Sequence, residues 1–474
     1  MSARHGVYAT QKPTSVVTPV KAPSGVPFFI GGAPVHTAKS PAAVGKPIPC
    51  TSWDEFVEKF GYSDSWADFT LCEAAYVHFR LYGCQPAIFC NVFDPSTMKE
   101  AVAAATKTVT NHQVVLPMEA INSAALVVQT AATQGTTLVK GTDYTAAYTD
   151  EGLVISLISG STHYSATSLS IAYDKVTPAS VTTNVVSTGL EKIDLCMVTA
   201  GMIPDLICAP GYSSDSGVAA LMTAKAEALN GLFDAKALID LNCASGGCTV
   251  YSGVASAKAA ANLTSKEQVV CWPMTSLSGK KIHMSTQLAG LMAKVDAGNG
   301  NPYESPSNKT FQMDALILAD GTEVLQTKAQ ADIVVNAGVV TGLNFLASGW
   351  VCWGNYTACW PGNTDPKDCL IPVSRMFGWV GNTLIQTFWS RLDKPLNRRL
   401  VDSILTTCNQ WLNGLVGSEY LLGARCEMRA EENPDTDLMA GIIRLHIYMT
   451  PPSPAQEIEF FLEYDASYLT QAFA

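Results

Sequence analysis

The chain has 474 residues, of which 47% are hydrophobic and 15% charged, and its formal net charge is −11. That length exceeds one ordinary core and implies about two to four domains. The acidic balance excludes a nucleic-acid groove, which needs clustered Lys and Arg, while a surface so poor in charge calls for cover by other subunits.

Residues 1–25 read as a free N-terminal arm, with Pro13, Pro19 and Pro23 among Thr, Ser and Val residues that include Val16, Val17 and Val20. From Met1 to Lys46 the chain carries Arg4, Lys12, Lys21, Lys39 and Lys46 and no acid. No apolar core of a secretory signal is visible, and no stretch reaches about eighteen apolar residues without a polar break. The expectation is a protein made and kept in a cytoplasm, without membrane insertion. Val26–Ile30 reads as a first core strand, Ser52 and Glu55 as the capping pattern of a helix through Phe60, Glu73–Tyr82 as a second helix and Ala87–Phe93 as a buried strand. Strand, helix and strand in this order predict an α/β layer.

From 108 to 187 the chain turns rich in Thr, Val, Ser and Ala, in short alternating segments punctuated by glycine turns. This predicts an inserted all-β module. The α/β texture then resumes. Leu206–Ala209 reads as a strand leading into a turn, followed by a helix carrying Val218, Leu221, Met222, Leu229 and Leu232. Strands are expected at Ala237–Leu241 and Val269–Trp272, and helices at Lys258–Leu263 and Ser285–Ala297.

The last eighty or so residues open with a helix signal, Asp393 as cap and Pro395 in the first turn, then Leu400, Val401, Ile404, Leu405, Cys408, Trp411 and Leu412 at helical spacing, with Gly414 as the expected left-handed cap. Ile443, Leu445, Ile447 and Met449 alternate with polar residues and predict a strand. Beyond the Pro-rich hinge at 451–454, Ile458, Phe460, Leu462 and Tyr464 alternate with Glu457, Glu459, Phe461, Glu463 and Asp465. A strand isolated in this way, with an apolar face unspent, must find a sheet edge, and that edge can belong to another subunit. From Pro451 onward the charges are four acids and no base, so opposite charge can place the arm of one copy beside the terminal strand of another.

Motifs for chemistry are weak. Gly211–Gly217 has two residues more than a nucleophile elbow and reads better as a helix N-cap at Ser214 or Asp215, although a serine hydrolase with a histidine near Ser213 is the rival reading. The loop Gly298–Pro302 has neither a phosphate-loop lysine nor a dinucleotide fingerprint. His78, between Val77 and Phe79, reads as a packing residue. The fourteen cysteines read as reduced, buried small hydrophobes, and neither Cys243 with Cys248 nor the group Cys352, Cys359 and Cys369 has paired zinc-ligand spacing. No catalytic residue, metal or cofactor is expected.

Seven segments in order nevertheless resemble one family, the tail sheath proteins of contractile bacteriophages and related injection machines: Gly25–Gly31, Val92–Pro95, Gly141–Thr145, Ile207–Ser213, Asn301–Lys309, Leu343–Phe345 and Trp353–Ala358, together with the terminal helix-and-strand block. The resemblance implies an α/β (α+β) multi-domain fold, divided into a linker arm at 1–25, sheath core at 26–107, an inserted β domain at 108–187, further core at 188–371, a C-terminal core domain at 372–450 and a second linker arm at 451–474. It implies a structural subunit that polymerises around an inner tail tube, its arms adding strands to neighbours, and that contracts to drive the tube through a cell envelope. The partners it implies are further copies, the tube protein, and baseplate and tail terminator proteins, in a virion tail assembled in the bacterial host cytoplasm. The sheath of a bacteriocin or injection device fits equally. Lys394, Arg398 and Arg399 are the candidate tube-facing residues.

Overall fold

The computed structural model describes residues 20–132 and 134–472. Its centre is an eight-stranded sheet in the order Trp350–Trp353, Val339–Asn344, Gln268–Cys271, Lys236–Asp240, Leu206–Cys208, Pro27–Gly31, Ala87–Asn91 and Ile48–Cys50. The six inner strands are parallel and each edge strand is antiparallel to its neighbour. Strands buried on both faces read as continuous apolar runs, as in Pro-Phe-Phe-Ile-Gly at 27–31 and Ala-Ile-Phe-Cys-Asn at 87–91, where every residue is buried. Helices Ser216–Glu227, Met284–Asn299 and Lys328–Asn336 pack on this sheet. The expected strands fall within a residue or two of those observed. The second helix begins earlier, at Thr70, and its later part, Tyr76–Leu81, is wound as a π-helix. The helix expected at 258–263 lies earlier, at Val254–Ala260, and the helix expected to carry Leu229 and Leu232 ends at Glu227, with both leucines in the turn closed by Leu229 and Phe233.

Residues 99–176 form two three-stranded antiparallel sheets, one of Lys99–Thr108, Ser168–Val176 and Val127–Gln129, the other of Gln113–Leu116, Gly152–Leu157 and Tyr144–Thr149. They share a core of their own that includes Val114, Leu116, Leu153, Ile155, Leu169 and Ile171. The all-β segment therefore starts and stops some ten residues before the expected limits of 108 and 187. Alanine-rich Lys99–Thr108 has little intrinsic strand preference and becomes a strand by pairing with Ser168–Val176. At the other end, Thr182 caps the helix Thr183–Leu190, whose Val186 and Leu190 are buried in the main core.

A third core joins helices Ile371–Phe388 and Arg398–Gly417 to a two-stranded antiparallel sheet, Gly423–Glu427 with His446–Thr450. Here the sequence reading needs three corrections. The helix starts at Arg398, because Asp393 lies in left-handed backbone (φ 61°) and Asn397 supplies the cap, its Oδ1 accepting from Leu400 N at 2.9 Å. Gly414 lies inside the helix, and the left-handed residue after its end is Glu419. The expected strand begins at His446, since the main chain before it is held by Asn433, whose side chain bonds both N–H and C=O of Arg444.

A buried polar knot lies at the C-terminal ends of the central strands. Asp240 accepts from Ser213 Oγ at 3.1 Å and from the N–H and hydroxyl of Ser285, while Glu73 accepts from the His283 N–H at 2.8 Å and pairs with its Nδ1 at 2.9 Å. Burial opposes a charge on His283, but the carboxylates of Glu73 and Asp240 outweigh it and push its pKa up to about 9. A raised histidine pKa contributes stability that is fully present below the ordinary value near 6.5 and fades as pH rises through about 9. The unassembled subunit should therefore lose about 2–3 kcal/mol of unfolding free energy between roughly pH 7 and 10, and Glu73→Gln should flatten that slope. Guanidinium titrations of both proteins across that pH range check this.

Candidate assembly interface

Beyond Thr450 the chain runs through 451–466 without helix or strand, and closes on the short helix Ser467–Ala472. The strand expected at 457–465 is thus not formed: this segment pairs with no strand of its own chain among the described residues. Ile458, Phe460, Leu462 and Tyr464 are 73%, 82%, 96% and 77% exposed, and Phe461 is equally bare. Alternation alone does not make a strand, because main-chain N–H and C=O groups need a ladder partner.

The two-stranded sheet nearby offers such a ladder. Asn409, on the helix behind it, donates to Cys426 O at 2.8 Å and accepts from Cys426 N at 2.8 Å. Both polar groups of Cys426 therefore point away from the partner strand, and this side chain occupies part of that edge. The opposite edge is His446–Thr450. Its helix-side residues Ile447 and Met449 join the third core, and Arg425 lies over the Tyr448 ring at 3.9 Å on the sheet. Asn409 was invisible to the sequence reading, since nothing local marks an asparagine in a helix as a main-chain clamp.

Of the candidate N-terminal arm residues, Lys12, Val16 and Val17 lie outside the described residues. Val20 and Lys21 belong to a stretch that is not free. Val20 N and Ala22 N each donate at 3.1 Å to the hydroxyls of Thr387 and Thr383, and Trp379 Nε1 donates to Ala22 O at 2.9 Å. Ser24 Oγ donates to Asp296 at 2.6 Å, and Gly25 N and Val26 N donate to Asp205 at 3.0 and 2.7 Å. The expected arm boundary at 25 is therefore too late: attachment begins by Val20. Arg375 closes this seam. It is buried, grips both oxygens of Asp296 at 3.1 and 2.5 Å, and reaches Asp205 at 2.8 Å. Thr383 and Thr387, one helical turn apart, and a lone arginine in an apolar helix were the signals available for this seam in the sequence.

Lys394, Arg398 and Arg399 sit at the start of the helix Arg398–Gly417. Arg398 is almost fully exposed and meets only Asp402, at 3.7 Å, while Lys394 and Arg399 line a polar groove with Arg391. Cations at a helix N-terminus oppose its dipole, so this cluster does not serve the helix.

Ser213, the nucleophile of the rival hydrolase reading, is buried and gives its hydroxyl to Asp240, while His283 is engaged by Glu73. Asp215 caps the following helix, accepting from Gly217 N and Val218 N. All fourteen cysteines are unpaired and buried, and no cluster of metal-ligand type occurs among the described residues. No described helix is long and apolar enough to cross a membrane.

With this architecture, the fold is that of contractile sheath subunits. It matches the helical sheath of the anti-feeding prophage in its contracted state over 98% of this chain and 100% of that one, with a TM-score of 0.59 and 15% identity. A chain of the anti-feeding prophage baseplate matches over 98% and 100%, with a TM-score of 0.58 and 16% identity. In sequence, the chain is 26% identical to the tail sheath protein of Burkholderia phage BcepMu over 487 aligned positions, 98% of this chain and 97% of the relative. No family model matches. The resemblance to contractile tail sheath proteins read from the seven segments is thus borne out over nearly the whole chain.

Removing Arg375 would leave Asp205 and Asp296 facing each other beneath residues 24–26. Arg375→Met is expected to destabilise the unassembled subunit by about 3–5 kcal/mol, measured by denaturant unfolding, whereas Arg398→Met should cost less than about 0.5 kcal/mol.

Proposed function

We propose that this chain is the structural subunit of a contractile sheath that polymerises around an inner tube, without catalysis or cofactor, and shortens to drive the tube through a cell envelope. The observation that carries the reading is the terminal arm: four large apolar side chains in alternation, bare in the single chain, beside a two-stranded sheet with an open edge. The arm of one copy adds to the His446–Thr450 edge of another, turning Phe460 and Leu462 toward the side of Ile447 and Met449. Glu459 and Glu463 then meet the face that carries Arg425 and His446. Each main-chain bond of the ladder contributes roughly 1 kcal/mol net, and each buried apolar side chain about 1.5–3 kcal/mol. Such a link persists through contraction, while charge-poor contacts between core domains exchange. The basic N-terminal segment before Val20 reaches a second neighbour, where the acidic arm favours it. Lys394, Arg398 and Arg399 face an acidic surface on the tube. Baseplate and terminator proteins close the two ends, and assembly takes place in a bacterial cytoplasm.

The sheath of an injection device is the second reading, favoured by the likeness to anti-feeding prophage chains. Both readings share the same subunit mechanics and differ in what the tube delivers.

Purified protein should form tubes in negative-stain micrographs, and a chain ending at Ser453 should stay a folded monomer. Phe460→Asp should likewise block tubes while shifting the melting temperature of the unassembled subunit by no more than about 1 °C. Tubes of normal length from either variant would refute arm exchange, and loss of monomer folding would place the strand within its own chain. Reversing Lys394 and Arg399 to Glu should leave tube-free sheath formation intact and lower co-assembly with the inner tube.

A further inference from the structure

The arm does not end with its alternating segment. Two residues after Asp465 the short helix Ser467–Ala472 presents Tyr468 and Leu469 side by side, 69% and 49% exposed. A strand of four apolar side chains explains the residues up to Tyr464 and leaves this pair without a partner.

An apolar groove lies on the third core, between the start of the helix Arg398–Gly417 and the helix Asp435–Met439. Leu396, Val401, Leu405, Met428, Leu438 and Met439 line it, and Met439 is 89% exposed. It adjoins the basic groove of Arg391, Lys394 and Arg399, the two sharing Asn397 and Asp402. Its place relative to the open edge matters. Strand Gly423–Glu427 pairs with His446–Thr450 so that Glu427 is opposite His446, and Met428 follows Glu427 directly. The groove therefore opens at the His446 end of the edge. An arm running antiparallel to His446–Thr450 carries its C-terminal end to that same end. The three residues from Asp465 to Tyr468 span at most about 10 Å, so the helix can dock only within that distance of the ladder's end.

We propose that the helix Ser467–Ala472 of one copy docks in this groove of a second copy, with Tyr468 and Leu469 against Leu405, Leu438 and Met439, and so fixes the direction of the arm on its edge. The proposal rests on the arm-exchange reading and adds to it a latch: the ladder supplies cohesion, and the terminal helix supplies polarity and register. The apolar face excludes a slip of one residue, but a slip of two preserves the side-chain faces and is not excluded by the pattern. An anchor beyond the ladder removes that freedom.

The test uses the full chain with Met439→Cys on one preparation and Leu469→Cys on another, mixed one to one and polymerised under reducing conditions, then oxidised. Both positions are exposed, and every native cysteine is buried. Covalent dimers from tubes, absent from the unassembled mixture, are the expected result. Tubes that yield no dimer overturn the latch and leave arm exchange standing, whereas a wild-type chain that forms no tubes overturns both. As a second measurement, a chain ending at Ala466 keeps the strand and should still form tubes, with its critical concentration raised about tenfold. An unchanged critical concentration overturns the latch as well.

Discussion

Arg375 is the point through which the parts of this subunit are made one body. Its guanidinium lies between Asp205, at the start of a central strand, and Asp296, near the end of the helix Met284–Asn299, and those two carboxylates also hold Ser24, Gly25 and Val26. The buried pair Lys236 and Glu267 adds a second tie, with Lys236 donating to Ser374 at 2.8 Å. Buried charges so arranged are costly to separate, since either carboxylate left alone faces a full desolvation penalty. Residues 20–26 are therefore rooted at the junction between the large sheet and the third core.

That root contrasts with the other end of the chain. Pro451 is buried, and from Ile458 on the apolar residues stand bare. Residues 20–26 are fastened within the subunit, whereas the apolar side chains of 458–464 have no cover from their own chain. In the proposed sheath, this contrast would let the arm links persist while the contacts between core faces exchange as the lattice shortens.

The sequence was most legible where burial on both faces leaves a continuous apolar run. The strands at 27–31, 87–91, 236–240 and 268–271 were visible for that reason, and so was the amphipathic stripe of the helix Arg398–Gly417 in the third core. It was least legible where a residue's conformation is imposed from afar. Lys99–Thr108 became a strand by its pairing, and the helix start moved to Arg398 because Asp393 took left-handed backbone. The attachment of residues 20–26 rests on hydroxyls and carboxylates more than 170 positions away.

By itself, the sequence determined the apolar alternation at 458–464 beyond a proline hinge, because both are local facts. It also determined the family likeness, through short segments whose order survives divergence elsewhere. Only the tertiary structure decided where each arm begins, which sheet edge Asn409 occupies and which stays open, and where an apolar groove lies relative to that edge. Those are matters of register and distance between segments far apart in the chain, and no local pattern encodes them.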